Sequence, residues 1–72
     1  MTAQIHPENI ARLSTSAAKT LSARELRLSI LNDLSVAADV HQYCGQTRQH
    51  ATVRAQCFAN TLFKINRERW LS

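Results

Sequence analysis

Glycine and proline occur once each in the 72 residues, as Gly45 and Pro7. That scarcity excludes the turn-rich all-β folds, which place both residue types at their corners, and favours long helices. Cysteine occurs twice, as Cys44 and Cys57. Two cysteines cannot build the disulfide framework of a small secreted domain, and no apolar run of secretory type is seen, so free thiols in a reducing cytoplasm are expected. No apolar run reaches the ~18 residues that a membrane-crossing helix requires. A glycine-rich phosphate loop is missing, as is any strand–turn–helix setting for a nucleophile. Asp33 and Asp39 are six residues apart and do not share a helix face. His50 and Cys57 stand two helical turns apart, ~10 Å along an axis, too far for proton transfer. A non-enzyme with no cofactor is therefore expected. His41, Cys44, His50 and Cys57 are metal-ligand types, but helical periodicity turns the first two inward and the last two outward. They do not converge as a tetrahedral site needs.

What the chain does contain is helical patterning and an uneven charge. Its length bounds it to one small domain over residues 1–72, with marginal stability unless oligomerisation or another aid assists. The apolar content, 44% of residues, is ample for folding. The formal net charge is +4, from nine basic and five acidic residues. Residues 46–72 hold five of the bases (Arg48, Arg54, Lys64, Arg67, Arg69) and one acid, Glu68, whereas 25–45 carry a net negative charge. A basic helix face suits a polyanion such as nucleic acid, or complements the acidic helix before it.

Along the chain, residues 1–6 read as a flexible arm. Pro7 and Glu8 suit a helix start, and Ile10, Leu13, Ala17 and Leu21 carry a short amphipathic helix over 7–20. Ser22-Ala-Arg-Glu25 is a capping box opening the next element. That element, 22–44, carries Leu26, Ile30, Leu34, Ala37, His41 and Cys44 on one face, widened by Leu31 and Ala38. It is read either as one helix or as two, with Ser35 capping a second piece from Val36. Gly45 is placed at a left-handed C-cap and Thr47 at the next N-cap. The basic C-terminal helix, 47–70, has Ala51, Ala55, Phe58, Leu62 and Ile65 on its core face. The fold expected is thus all-α: a three-helix, helix-turn-helix-like domain, or alternatively a long antiparallel helical hairpin with a short N-terminal helix.

LSARELRLSILNDL, SVAADVHQYCG and HATVRAQCFANTLFKINRERWLS together resemble the tri-helical core of helix-turn-helix regulators, winged ones included. Leu26, Ile30 and Leu31 match a first helix, and Val36, Val40 and Gly45 the helix and turn that follow. Thr52, Val53, Phe58 and Leu62 match the recognition helix. The stretch from Gly45 to Val53 is about two residues longer than the family's turn, and no wing hairpin is covered. The resemblance implies that the basic helix enters the major groove of duplex DNA by its first turns. Gln49, His50 and Arg54 would face base edges, while Arg48, Lys64 and Arg67 would meet phosphates.

Two functions are therefore expected in competition. One is a small DNA-binding transcriptional regulator of phage or plasmid type. The other is a non-enzymatic protein-interaction module, a dimeric hairpin acting as inhibitor, adaptor or chaperone-like subunit of a larger protein. Its anchors would be the apolar residues outside the main stripes: Leu28, Val36, Tyr43, Phe63 and Trp70. Both readings expect a homodimer, and neither expects a membrane partner.

Overall fold

The computed structural model describes residues 6–71, the side chains of Pro7 and Leu71 excepted; most of the arm expected over 1–6 lies outside the described residues. Three helices account for the fold: α1 (Pro7–Ala18), α2 (Ala23–Ala38) and α3 (Gly45–Leu71). The chain is all-α, with no strand among the described residues.

Each boundary has a local cause. Pro7 opens α1, where its missing N–H costs nothing, with Glu8 in the first turn. The helix closes in i→i+3 bonds, as the amides of Lys19, Thr20 and Leu21 donate to the carbonyls of Ser16, Ala17 and Ala18. The capping box forms in full. The Glu25 amide donates to Ser22 Oγ at 3.2 Å, and the Ser22 amide donates to Glu25 Oε1 at 3.1 Å. Those bonds hold the Glu25 carboxyl below its ordinary pKa of 4.5.

α2 then runs unbroken through Leu34 and Ser35 and ends at Ala38, which corrects both versions of the 22–44 element. No break forms at Ser35, and residues 39–44 are not helical. Asp39 causes the stop. Its Oδ1 accepts from the amides of His41 and Gln42, at 3.2 and 3.0 Å, and so offers them a partner outside the helical ladder. Gly45 is not a left-handed cap either, since no residue has that conformation among those described. It opens α3, and Cys44 rather than Thr47 precedes the helix, its carbonyl accepting from the Arg48 amide at 3.0 Å.

α2 and α3 form an antiparallel hairpin held at successive levels. Arg48 Nε donates to the Ala37 carbonyl at 2.9 Å, Arg54 reaches Asp33, and Leu26 packs with Phe58. Ala51 and Ala55 are fully buried, and their small side chains let the two helices close. α1 packs on one side of this hairpin, mainly against α3, where the Cys57 thiol donates to the Ala11 carbonyl at 3.6 Å. The core consists of Ala18, Leu26 and Phe58, with Leu21, Ile30, Leu62 and Ile65 partly buried around them. The 27 residues of α3 outrun the 16 of α2. Trp70, on the overhang, is 88% exposed and does not fold back on the core.

The α3 stripe lies as its spacing predicts. The α2 stripe does not: Leu34 is half exposed, and Asp33, 2% exposed, faces α3 in its place. His41 and Cys44, assigned to the same stripe, are exposed in the loop.

Leu26→Ala should cost about 2–5 kcal/mol and Phe58→Ala about 3–5 kcal/mol in urea denaturation, enough to unfold a domain of this size. A folded carboxyl pKa below the unfolded value stabilises above the unfolded pKa and loses that contribution as pH falls through the folded one. Melting temperature should accordingly drop less between neutral and acid pH in Glu25→Gln, which keeps the cap without the charge, than in the parent chain.

Candidate functional site

The charged residues proposed for base reading sort by where the hairpin turns them. Asp33 sits on the inner face of α2, one turn from Ile30 and Ala37. On α3, Arg54 lies one turn from the buried Phe58 and beside Ala55. Arg54 Nε donates to Asp33 Oδ2 at 2.9 Å and Nη2 to Oδ1 at 2.6 Å, a bidentate fork. The carboxylate is almost fully buried, while the arginine side chain remains 42% exposed. Hydrogen bonding to Asp33 raises the guanidinium above its already high pKa.

This corrects the sequence reading of Arg54 as an outward side chain that faces base edges. Arg48 is likewise turned to α2 through the Ala37 carbonyl. His50 is half buried and has a partner of its own. Gln49, Lys64 and Arg67 are exposed, but Gln49 is separated from Lys64 by ~22 Å along the helix. The six residues therefore do not converge on one groove-facing surface. Lys64 and Arg67 instead stand at the end of the bundle where α2 begins, the same end as the exposed Arg24 and Arg27.

The apolar residues assemble more clearly. α1 covers one side of the hairpin. On the other side, Leu31, Leu34 and Ala38 of α2 lie alongside Thr52, Gln56, Ala59, Phe63 and Trp70 of α3, each series at helical spacing. Between them runs a groove lined by Ile30, Leu34, Thr52, Ala55, Gln56 and Ala59. Leu31 is 64% exposed, Leu34 51% and Phe63 66%. No acidic residue lies on these stripes.

Of the five interface residues expected from sequence, Phe63 and Trp70 belong to this face. Leu28 lies on the other side of α2, at a hollow it lines with Leu21, Ser29, Asn32, Asp33, Arg54 and Phe58. Val36 is half buried, and Tyr43 is in the loop. Sequence reasoning missed Leu34 and Ala59 as surface residues. The signal was present in α2, where Leu26, Ile30, Leu31 and Leu34 make an apolar stripe too wide for a single contact.

The two cysteines differ in environment. Cys44 is exposed at the N-terminus of α3, its Sγ sharing a hydrogen bond of 3.2 Å with Thr47 Oγ1. The Thr47 hydroxyl, followed by the Thr47 and Gln46 amides, pushes the thiol below its ordinary pKa. Cys57 is half buried against α1. Among the described residues no three His, Cys, Asp or Glu side chains come together as metal ligands. No helix is long and apolar enough to cross a membrane, among the residues described.

No protein-family model, curated protein or solved structure matches the chain.

Removing one partner of a buried ion pair costs ~3–5 kcal/mol, because the other charge is stranded. Since Arg54 is partly solvated, Arg54→Ala should cost about 3 kcal/mol, near the lower end of that range. Asp33→Asn should cost less, because the freed guanidinium can reach water. Urea denaturation of both variants measures the order, and a more damaging Asp33→Asn would contradict the assignment. In timed labelling with a disulfide reagent, Cys44 should react well ahead of Cys57.

Proposed function

We propose that the chain is a non-enzymatic protein-interaction module that works through the open side of the α2–α3 hairpin. The observation that carries this reading is the placement of Leu31, Leu34, Phe63 and Trp70, all exposed, along one groove-bearing side that α1 leaves uncovered. Scattered exposed leucines are ordinary on protein surfaces. Exposed apolar residues set along one side, Leu34 lining the groove with Thr52, Gln56 and Ala59 and Phe63 and Trp70 continuing the α3 stripe, are the pattern of a docking surface, and Phe and Trp are common anchors there. The module acts as inhibitor, adaptor or subunit by occupying a partner, with no chemistry of its own.

A photo-crosslinking residue placed at Phe63, in cells that express the protein, tests this. An adduct formed at Phe63 and not at Ser16, which is exposed on the outer side of α1 and so off the face, is the expected result. Equal yields at the two positions, or none at either, would sink the reading.

A second reading is favoured by one specific observation, the exposure of Arg24, Arg27, Lys64 and Arg67 at a common end of the bundle. In this reading a small transcriptional regulator meets the phosphates of duplex DNA with that end. Fluorescence anisotropy with mixed-sequence duplex at rising salt is the measurement. Lys64→Ala with Arg67→Ala should lower the slope of log affinity against log salt by about 2, at roughly 0.9 per phosphate contact. Absence of binding at low salt removes this reading and leaves the first untouched.

A further inference from the structure

We infer that the open side receives an acidic amphipathic helix of a partner protein, with its apolar stripe in the α2–α3 groove and its carboxylates on the arginines at the end of the bundle where α2 begins. The inference rests on the reading of that side as a docking surface and names the chemistry of what docks.

Charge selects an acidic partner. On α2, Arg27 stands one turn before Leu31 and Arg24 one turn before Arg27, so both continue the open face of that helix. On α3, Arg67 follows Phe63 by one turn and precedes Trp70 by another. All three arginines are exposed, and among the described residues the ion pair formed is that of Arg54 with Asp33, which leaves them out. The five acids of the chain lie elsewhere. Glu8 is on α1, Glu25 is held in the capping box, and Asp33 is buried against Arg54. Asp39 bonds the amides of the turn, and Glu68 stands on the far side of α3 from Trp70. Every formal charge on the open side is therefore positive, and a partner of complementary potential is acidic there.

Backbone chemistry selects a helix. α2 and α3 satisfy their own amides and carbonyls, and among the described residues no strand offers an edge to pair with. An occupant must therefore bring a backbone that is already satisfied, as a helix does. The α3 stripe runs ~27 Å from Thr52 to Trp70, the length of a helix of about five turns. Leu34, Ala55 and Ala59 in the groove take the apolar residues of that helix, and Arg27 lies about two turns from Leu34 toward the start of α2. The docked helix accordingly carries its acids toward one end.

A lipid surface and a nucleic acid fit less well. Thr52 and Gln56 line the groove, where hydrocarbon would leave them without hydrogen-bond partners. Phosphates would meet the arginines and leave Leu31, Leu34 and Phe63 against water.

Selection from a displayed peptide library on the immobilised full chain tests the inference. The library holds amphipathic helices of about five turns, with Leu, Ile, Val or Phe along one face and Glu, Lys, Gln or Ser at each flanking position. Glu should be enriched at the flanks of one end. A selected peptide should bind about tenfold or more weakly to the chain carrying Arg27→Glu with Arg67→Glu, and its binding to the parent chain should weaken as salt rises. Leu34→Gln, at a half-exposed position that spares the fold, should weaken it as well. On the charge-reversed chain the same selection should turn to Lys. Neutral or Lys flanks selected by the parent chain, Glu flanks still preferred after charge reversal, or no peptide enriched overturns the acidic helix. Phosphatidylserine vesicles or duplex DNA bound through Arg27 and Arg67, with no peptide enriched, would overturn it in favour of phosphate. In any of these cases an adduct at Phe63 keeps the docking surface with another occupant, and no adduct there removes both readings.

Discussion

The Asp33–Arg54 fork sets the rotation of α2 against α3, and most of the structure follows from it. A carboxylate 2% exposed must face its partner, so α2 turns Asp33 inward together with Leu26, Ile30 and Ala37. With that register set, Leu34 is carried 100° round the helix, to the side away from α1. The same rotation lets Arg48 reach the Ala37 carbonyl three turns of hairpin away from Leu26 and Phe58. One interaction thus accounts for the closed side of the hairpin and for the apolar residues on the open one.

Legibility from sequence was uneven, for physical reasons. The Ser22–Glu25 capping box is local chemistry, complete within four residues, and could be read without knowing the fold. The α3 stripe was equally plain, because Ala51, Ala55, Phe58, Leu62 and Ile65 follow one face with no competing apolar face as strong. The α2 register was misread because periodicity counts apolar residues and treats an aspartate as outward. A buried Asp is recognisable only with its partner, and Arg54 lies 21 residues on, across a loop. The end of α2 at Ala38 was missed for a related reason. The Asp39 side chain supplies a turn by accepting two amides, a signal as specific as glycine but one that was passed over in favour of Gly45.

The candidate site shifted accordingly. The basic helix drew attention because its charges are concentrated in sequence, yet folding divides them. Arg48 and Arg54 stabilise the hairpin, and Lys64 and Arg67 stand at the opposite end of α3. Five bases on one helix do not make one basic surface when the helix is long and its first half is packed. The apolar residues behave in the opposite way. Leu31 and Leu34 come from one helix and Phe63 and Trp70 from another, and the antiparallel pairing gathers them on one side.

The identity of the buried group bears on why such a side exists. A buried ion pair is rarely a better source of stability than a hydrophobic pair of similar volume, because desolvation offsets most of the attraction. A leucine in place of Asp33 and a polar residue in place of Leu34 would give α2 a conventional amphipathic pattern and a larger private core. The chain has the reverse arrangement, with charge inside and leucine outside. That arrangement weakens the single hairpin while leaving Leu31, Leu34 and Phe63 available to a second surface. It also penalises the alternative rotation, in which Leu34 would turn in and Asp33 would swing away from Arg54, so the open side is specified as well as tolerated. A hairpin built this way leaves its apolar side open at the place where the sequence departs most from a self-sufficient fold.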